Sequence, residues 1–230
     1  MSIDRSKLTV LAALLLTTPA AAQGVVVDQG QFGITVAGER VGTEDFTIRR
    51  AGFGRDDAIF ANGVVSLSIA GALQEIRPLL RAVPPDGVVA GYQVEVEGPE
   101  ALELQLTRAG RRYVAVIRSV EGEEDREFQA RPDTRILDLD VAHHYYFLQD
   151  IREGGTAHAL EPRTRRQANL TVGAWVDEEL QLGRTSVAAR RVEFSSGSAV
   201  RIVWFDRLGR VLRVEVPERD YVAERLDLVG

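Results

Sequence analysis

The sequence predicts an all-β fold with one or two short helices: a single antiparallel, strongly curved sheet of the half-barrel or barrel-like kind. Two observations predict it. From Phe32 to Ala130, apolar and polar residues alternate in short runs, with a turn signal about every 8 to 15 residues. From Val192 to Pro217, two hairpin turns follow one another without interruption.

The chain begins with an export segment. Arg5 and Lys7 make a basic start, with Asp4 against the pattern. Leu8 to Leu16 is apolar and too short to span a bilayer as a helix, and Ala20-Ala21-Ala22 supplies an A-x-A cleavage site. Residues 1–22 are therefore expected to be a signal peptide, with Gln23 as the mature N-terminus and 23–230 as a single β-rich domain. The rival reading is an uncleaved anchor. The expected location is the periplasm or the medium, with no transmembrane segment after cleavage.

The 230-residue chain has no cysteine, which excludes disulfides, thiol catalysis, Cys-ligated metals and a lipidation cysteine. Its core must therefore be apolar and sizeable. Without residues 1–22 the chain carries 33 acidic against 26 basic residues, a formal charge of −7, and Lys7 is its only lysine. An acidic surface argues against general nucleic-acid binding, which depends on basic contacts to phosphate. Arg163, Arg165 and Arg166 form one local basic cluster, read as a solvated loop.

In chain order, Val25–Val27 is a short pairing segment. Phe32, Ile34 and Val36 alternate as a strand, Ala37–Arg40 turns, and Glu44–Arg49 returns with Phe46 and Ile48 inward. Gly52-x-Gly54 leads into Asp56 and Asp57, too acidic for a phosphate loop. Ala58–Ile69 is a strand. Ala72–Leu80 carries apolar residues at helical spacing, but Pro78 would disrupt a helix, so a strand is expected. Pro84–Gly87 turns. Strands follow around Tyr92–Val96, Leu102–Leu106 and Tyr113–Arg118, with an acidic tip at Glu121–Asp125 and a return at Glu127–Ala130.

The one helix candidate is Asp140–Glu153. Asp140 is the expected N-cap, and Val141, His144, Tyr145, Leu148 and Ile151 form one apolar stripe. Gly154-Gly155 ends it. Asn169–Val176 returns to strand. Ser195–Ser198 then joins Thr185–Phe194 to Val200–Phe205, and Asp206–Gly209 is a turn with Gly209 in the left-handed region. Val211–Val216 is expected to put Leu212, Val214 and Val216 on one face and Arg213 and Glu215 on the other. Tyr221–Leu226 is a last short strand.

Chemical motifs are sparse. His143 and His144 are adjacent, which makes no chelating pair on a helix or on a strand. A metal set of His143, Asp140 and His158 is conceivable; the bland reading is surface histidines beside a helix cap. No G-x-S-x-G, H-E-x-x-H or P-loop occurs. Glu178-Glu179 lies in an expected hairpin loop, and Asn169-Leu170-Thr171 is a chance sequon. Trp175-Val176-Asp177 with Leu182-Gly183-Arg184 repeats the pattern of Trp204-Phe205-Asp206 with Leu208-Gly209-Arg210, a degenerate duplication or convergent turn chemistry.

Trp204-x-Asp206-x-x-Gly209-Arg210, followed by Val214-Glu215-Val216-Pro217 and a last strand, resembles the tail of a group of uncharacterised exported bacterial β-rich proteins. Phe32–Gly42 is similar to their opening. Such domains look like relatives of the half-barrels that carry lipids or lipoproteins through the periplasm, and the group implies no catalytic residues. The expected function is thus non-catalytic binding of a lipid-like or other apolar ligand, or of an envelope partner, with the helix covering the concave face and no cofactor. Trp175, Trp204, Tyr145 and Tyr113 are the expected ligand-lining residues. The alternatives are a structural or adaptor protein with a packed interior, and a hydrolase.

Overall fold

A computed structural model of the chain describes residues 24–228 apart from 53, 55, 56, 85 and 86. The expected signal peptide lies outside the described residues, as do the two central residues of the Pro84–Gly87 turn.

Eight strands first run up and down in sequence: β1 (Val25–Val36), β2 (Glu39–Ala51), β3 (Ala58–Ile69), β4 (Ala72–Val83), β5 (Val88–Glu97), β6 (Leu102–Ala109), β7 (Arg112–Ser119) and β8 (Gly122–Gln129). The second half holds β9 (Thr134–Ile136), a helix, β10 (Thr156–Glu161), β11 (Arg166–Val172), β12 (Val176–Leu182), β13 (Thr185–Ser196), β14 (Ala199–Phe205), β15 (Val211–Val216) and β16 (Tyr221–Arg225). All belong to one sheet, in the order β8 to β1, then β16-β15-β14-β13-β11-β10-β9, with β12 paired to β13 off this path. The last strand joins the first, Tyr221 opposite Val36 and Arg225 opposite Phe32. Every pairing is antiparallel except β9 with β10.

The ladder does not close, because β8 and β9 are its two ends. The sheet nevertheless curls until those ends meet through side chains. The Gln167 amide of β11 donates to Gln129 O (3.0 Å) and accepts from Gln129 N (3.3 Å), and Arg165 pairs with Glu124 (2.6 Å). Antiparallel alternation places the β1–β2, β3–β4, β5–β6, β7–β8, β13–β14 and β15–β16 turns at the same rim.

Alternation gives each strand an inner and an outer face. The inner faces share one apolar core that includes Phe32, Ile48, Leu80, Leu106, Phe194 and Val214. A smaller cluster of Leu180, Leu182, Ala189, Trp204 and Leu212 lies apart from it. Val203 and Phe205, the neighbours of Trp204 in β14, belong to the inner core, so Trp204 sits on the outer face, beneath the β12–β13 hairpin.

The Asp206 turn forms as its chemistry dictates. Its Oδ1 accepts from Leu208 N (2.8 Å) and Arg210 N (2.9 Å), and Gly209 has φ 78°. Just beyond it the expected alternation breaks. Trp204 faces Arg213 and Phe205 faces Val211, so Leu212 is the extra residue of a bulge. Val211, Val214 and Val216 point inward while Leu212 joins the outer cluster. β4 is a strand, as expected, and Pro78 marks its cost: pairing with β3 runs through Asn62–Leu79, lapses, and resumes at Val65–Ile76.

The helix differs most from expectation. It is a short 3-10 helix, Ala142–Leu148, and ends well before Gly154. All its residues but Tyr146 are buried, so it is a plug in the concave face and not a one-sided amphipathic helix. Asp140 does not cap it. That residue is in the left-handed region (φ 61°), and its carboxylate turns to Arg219 (2.6 Å).

Candidate functional site

The cap comes from across the sheet. Glu44 sits in β2 two residues before Phe46 and four before Ile48, so the strand period carries it inward with them. It is fully buried, and its carboxylate accepts from Ala142 N (2.6 Å), His143 N (3.0 Å) and the facing His143 Nδ1. This satisfies the first donors of the helix with a charge of the favourable sign. The His143 ring stacks on Phe46, which stacks on Phe32. His143 Nε2 is buried and bonds to nothing. The dyad thus holds the helix and presents its far nitrogen to no hydroxyl.

A second node forms around Asp138, just before the helix. Its Oδ2 accepts from the Tyr92 hydroxyl (2.6 Å) and Arg163 Nε (2.7 Å), while its Oδ1 is buried without a partner. The Asp138 N–H donates to His144 Nδ1 (3.2 Å), so the proton of that ring is at Nε2, also buried and unpartnered. Burial, and then the nearby His143 and Arg163, hold His144 well below the ordinary histidine value, so the ring is neutral at pH 7. Burial also pushes the Tyr92 phenol well up, with the Asp138 charge adding to it.

Where this network reaches the rim there is a pocket of about 220 Å³. Asp138, Tyr145, Glu161, Arg201, Arg219 and Tyr221 are among its walls. Arg201 is on the inward face of β14 with Val203 and Phe205; it pairs with Glu161 and faces the Tyr145 phenol, which burial pushes up to about 12. Tyr221 opens β16 on the inward side. Its hydroxyl is buried without a partner, and burial, helped by Glu44 and Asp140, holds its phenol well above the usual value. Both phenols therefore stay protonated and can donate.

Of the four expected lining residues, only Tyr145 is in this pocket. Tyr113 is in the inner core with its hydroxyl on Val89 O (3.1 Å). Trp175 packs beside Phe205 and donates to Ile151 O (3.3 Å). Trp204 is on the outer face, its Nε1 donating to Glu178 Oε1 (2.5 Å), with the Arg191 and Arg213 guanidinium groups over its ring. The four do not converge.

The conceivable metal set does not assemble either. His143 is held by Glu44, Asp140 by Arg219, and His158 by Thr134 Oγ1 (2.9 Å). Among the described residues, no three His, Asp or Glu side chains gather to hold a metal ion. His143 and His144 are buried, not surface residues.

Sequence reasoning missed Glu44, Asp138, Arg201 and Tyr221. For three of them the signal was present. Glu44 shares strand parity with Phe46 and Ile48, Arg201 with Val203 and Phe205, and Tyr221 with Ala223. Asp138 lies in a loop, where no parity applies.

No family model and no curated protein matches the sequence. Among solved structures, the chain is similar to a beta-barrel-like protein of domain of unknown function DUF1849 from Brucella abortus, at 9% identity over 86% of this chain and 94% of that one, with a TM-score of 0.49. It is also similar to a DUF1089 family protein from Pseudomonas aeruginosa, at 15% identity over 76% of this chain and 90% of that one, with a TM-score of 0.41.

Proposed function

We propose that the chain is a non-catalytic binding protein of the cell envelope, and that it takes its ligand at the rim pocket and not deep against the sheet. One observation carries this reading. Charged groups of both signs, Asp140, Glu161, Arg201 and Arg219, of which Asp140 and Arg201 are buried, line an open pocket of about 220 Å³ at the rim. Charges held at the edge of an apolar core cost stability, and a site kept for a ligand explains why they persist. Export rests on the signal-like residues 1–22, and the lipid-carrier connection rests on the resemblance of both chain ends. The plug weighs against an acyl chain lying along the concave face, because Tyr145, Phe147 and Leu148 pack there with the strand residues.

Native mass spectrometry of protein purified from its periplasmic fraction tests the reading. A bound small molecule, lost on substituting Arg201, is the expected result. Protein that is ligand-free from every preparation, with Arg201 variants indistinguishable in the same assay, would instead favour the structural reading, for which the packed inner core is the supporting observation.

A further inference from the structure

We propose that the seam where the curled sheet fails to close is a lateral gate, and that it admits the apolar part of a small molecule to a second pocket behind it. This goes beyond the binding reading above, since the second pocket shares no wall residue with the first. β8 pairs with β7 along its whole length, and its other edge has no strand beside it. What faces that edge is the β10–β11 hairpin. Among the described residues, exposed side-chain bonds cross between them: Arg165 to Glu124 (2.6 Å), Gln167 to the Gln129 backbone (3.0 and 3.3 Å), and Arg131, just after β8, to Asn169 (2.8 Å). Exposed bonds and ion pairs of this kind are weak, because water replaces them at little cost.

The two sides of the seam are held differently. The β10–β11 turn is the fixed side, because Arg163 reaches in from it to the buried Asp138 carboxylate (2.7 Å). The start of β8 is the free side. From Gly122 to Glu127 none of its residues is buried, and Phe128 is the first to reach the core. Arg165 joins this free end to the fixed turn, and it does so at φ 59°, in the left-handed region that favours glycine. A pocket of about 230 Å³ lies behind that contact and takes walls from both sides of it, Glu124 on one and Arg163 and Arg165 on the other. Its floor is Leu102, Leu104 and Ile117 of β6 and β7. Swinging the end of the β7–β8 hairpin outward breaks the Arg165 contact, breaks no backbone bond across the seam, and widens this pocket. The floor is aliphatic, so what reaches it is apolar, while the ionic mouth suits a polar end. The volume is below the roughly 300–1,000 Å³ of sites for drug-sized ligands, so the closed seam leaves room for a small molecule alone.

The chain has no cysteine, so a single introduced thiol reports on its own site. Leu104→Cys puts that thiol on the buried floor, and the rate at which iodoacetamide labels it in the native protein reads the opening of the seam. Ile117→Cys, at the facing position on β7, serves where Leu104→Cys does not fold. Ile48→Cys, buried on β2, reads the opening of the whole fold. Glu124→Gln removes the ion pair at the seam. It should raise the labelling rate at the floor by up to about fivefold, the most that one exposed ion pair is worth, and leave the rate at Ile48→Cys unchanged. N-phenyl-1-naphthylamine, a small apolar fluorophore, should bind the parent saturably and protect the floor thiol from labelling. The gate is overturned if Glu124→Gln leaves the floor rate unchanged, or if it raises the rates at the floor and at Ile48→Cys together. The apolar pocket is overturned if the fluorophore does not bind, or binds without protecting the floor thiol. Either failure leaves the Arg201 test of the first pocket as it stands.

Discussion

The two halves of the sheet are built by different rules. From β1 to β8 each strand pairs with the next through a short turn, and the inward positions are mostly apolar. Bulges occur in both halves, but from β9 to β16 the pattern is broken further: by a parallel pair, by a helix, by a strand off the main path and by a β11–β13 pairing of only two residue pairs. Among the described residues the rim pocket takes its walls from the second half alone. A regular meander makes a wall; the departures from regularity are where charged groups can be brought inside and kept there. Glu44 is the exception that links them, a carboxylate on the regular half that holds the helix of the irregular one.

Removing that link should have the largest effect. Glu44→Ala leaves two backbone N–H groups and the His143 ring without their acceptor, in a site with no water access. A loss of about 3–5 kcal/mol in urea unfolding is expected, since each stranded buried donor costs about 1–3 kcal/mol. Glu95→Ala, at an exposed position on β5, should change stability by no more than about 0.5 kcal/mol. Equal, small losses at both sites would mean that the halves are held together without this carboxylate.

Gly63 sharpens the comparison, because it lies at the one lapse in the β3–β4 ladder, opposite Pro78. A Cβ at Gly63 would stand 2.8 Å from Asp45 O and 3.2 Å from His143 Cε1. At this lapse, which Pro78 opens, the β2 backbone and, less tightly, the His143 ring of the helix close on β3. Gly63→Ala should cost about 1–3 kcal/mol, the usual penalty of overpacking. The same measurement on Gly110→Ala is a control for backbone strain alone: that glycine has φ 64° and open space around its Cβ position. If Gly63→Ala is neutral, neither β2 nor the helix presses on β3 at this point.

These residues also show what the sequence discloses and what it hides. Most strands of the first half, the Asp206 turn and the strand character of β4 follow from local alternation and turn chemistry, and so were legible; β9 and β10 were not, and Glu178-Glu179, expected in a hairpin loop, lie in β12. The helix was not legible either. Its stripe of Val141, His144, Tyr145, Leu148 and Ile151 looks one-sided, yet His143 and Phe147 are buried as well, because the plug is surrounded. Its cap is 98 residues away in sequence, and local reasoning offered Asp140 instead. A single inserted residue turned Leu212 to the other face, a change no periodicity shows in advance. Trp175 and Trp204 look like a pair by motif. What the two segments share is glycine turn chemistry, with Gly183 at φ 54° and Gly209 at φ 78°, and not a common cavity.

The smallest expected effect concerns acid. His144 is neutral in the fold because burial holds its pKa well below the ordinary value, while in the unfolded chain it titrates near 6.5. Above pH 6.5 both states carry a neutral ring and nothing is lost. As pH falls below 6.5 the unfolded chain takes up a proton that the folded one refuses, so stability drops, until the folded ring itself titrates. This amounts to roughly 1.4 kcal/mol between pH 7.5 and 5.5 for one such group. Urea unfolding of the parent and of His144→Gln at both pH values isolates it: the parent should lose about that much more than the variant. An equal loss in the two proteins would show that His144 takes up a proton as readily inside the sheet as outside it. The second half of the molecule would then be more open to water than its buried charges and unpartnered atoms imply.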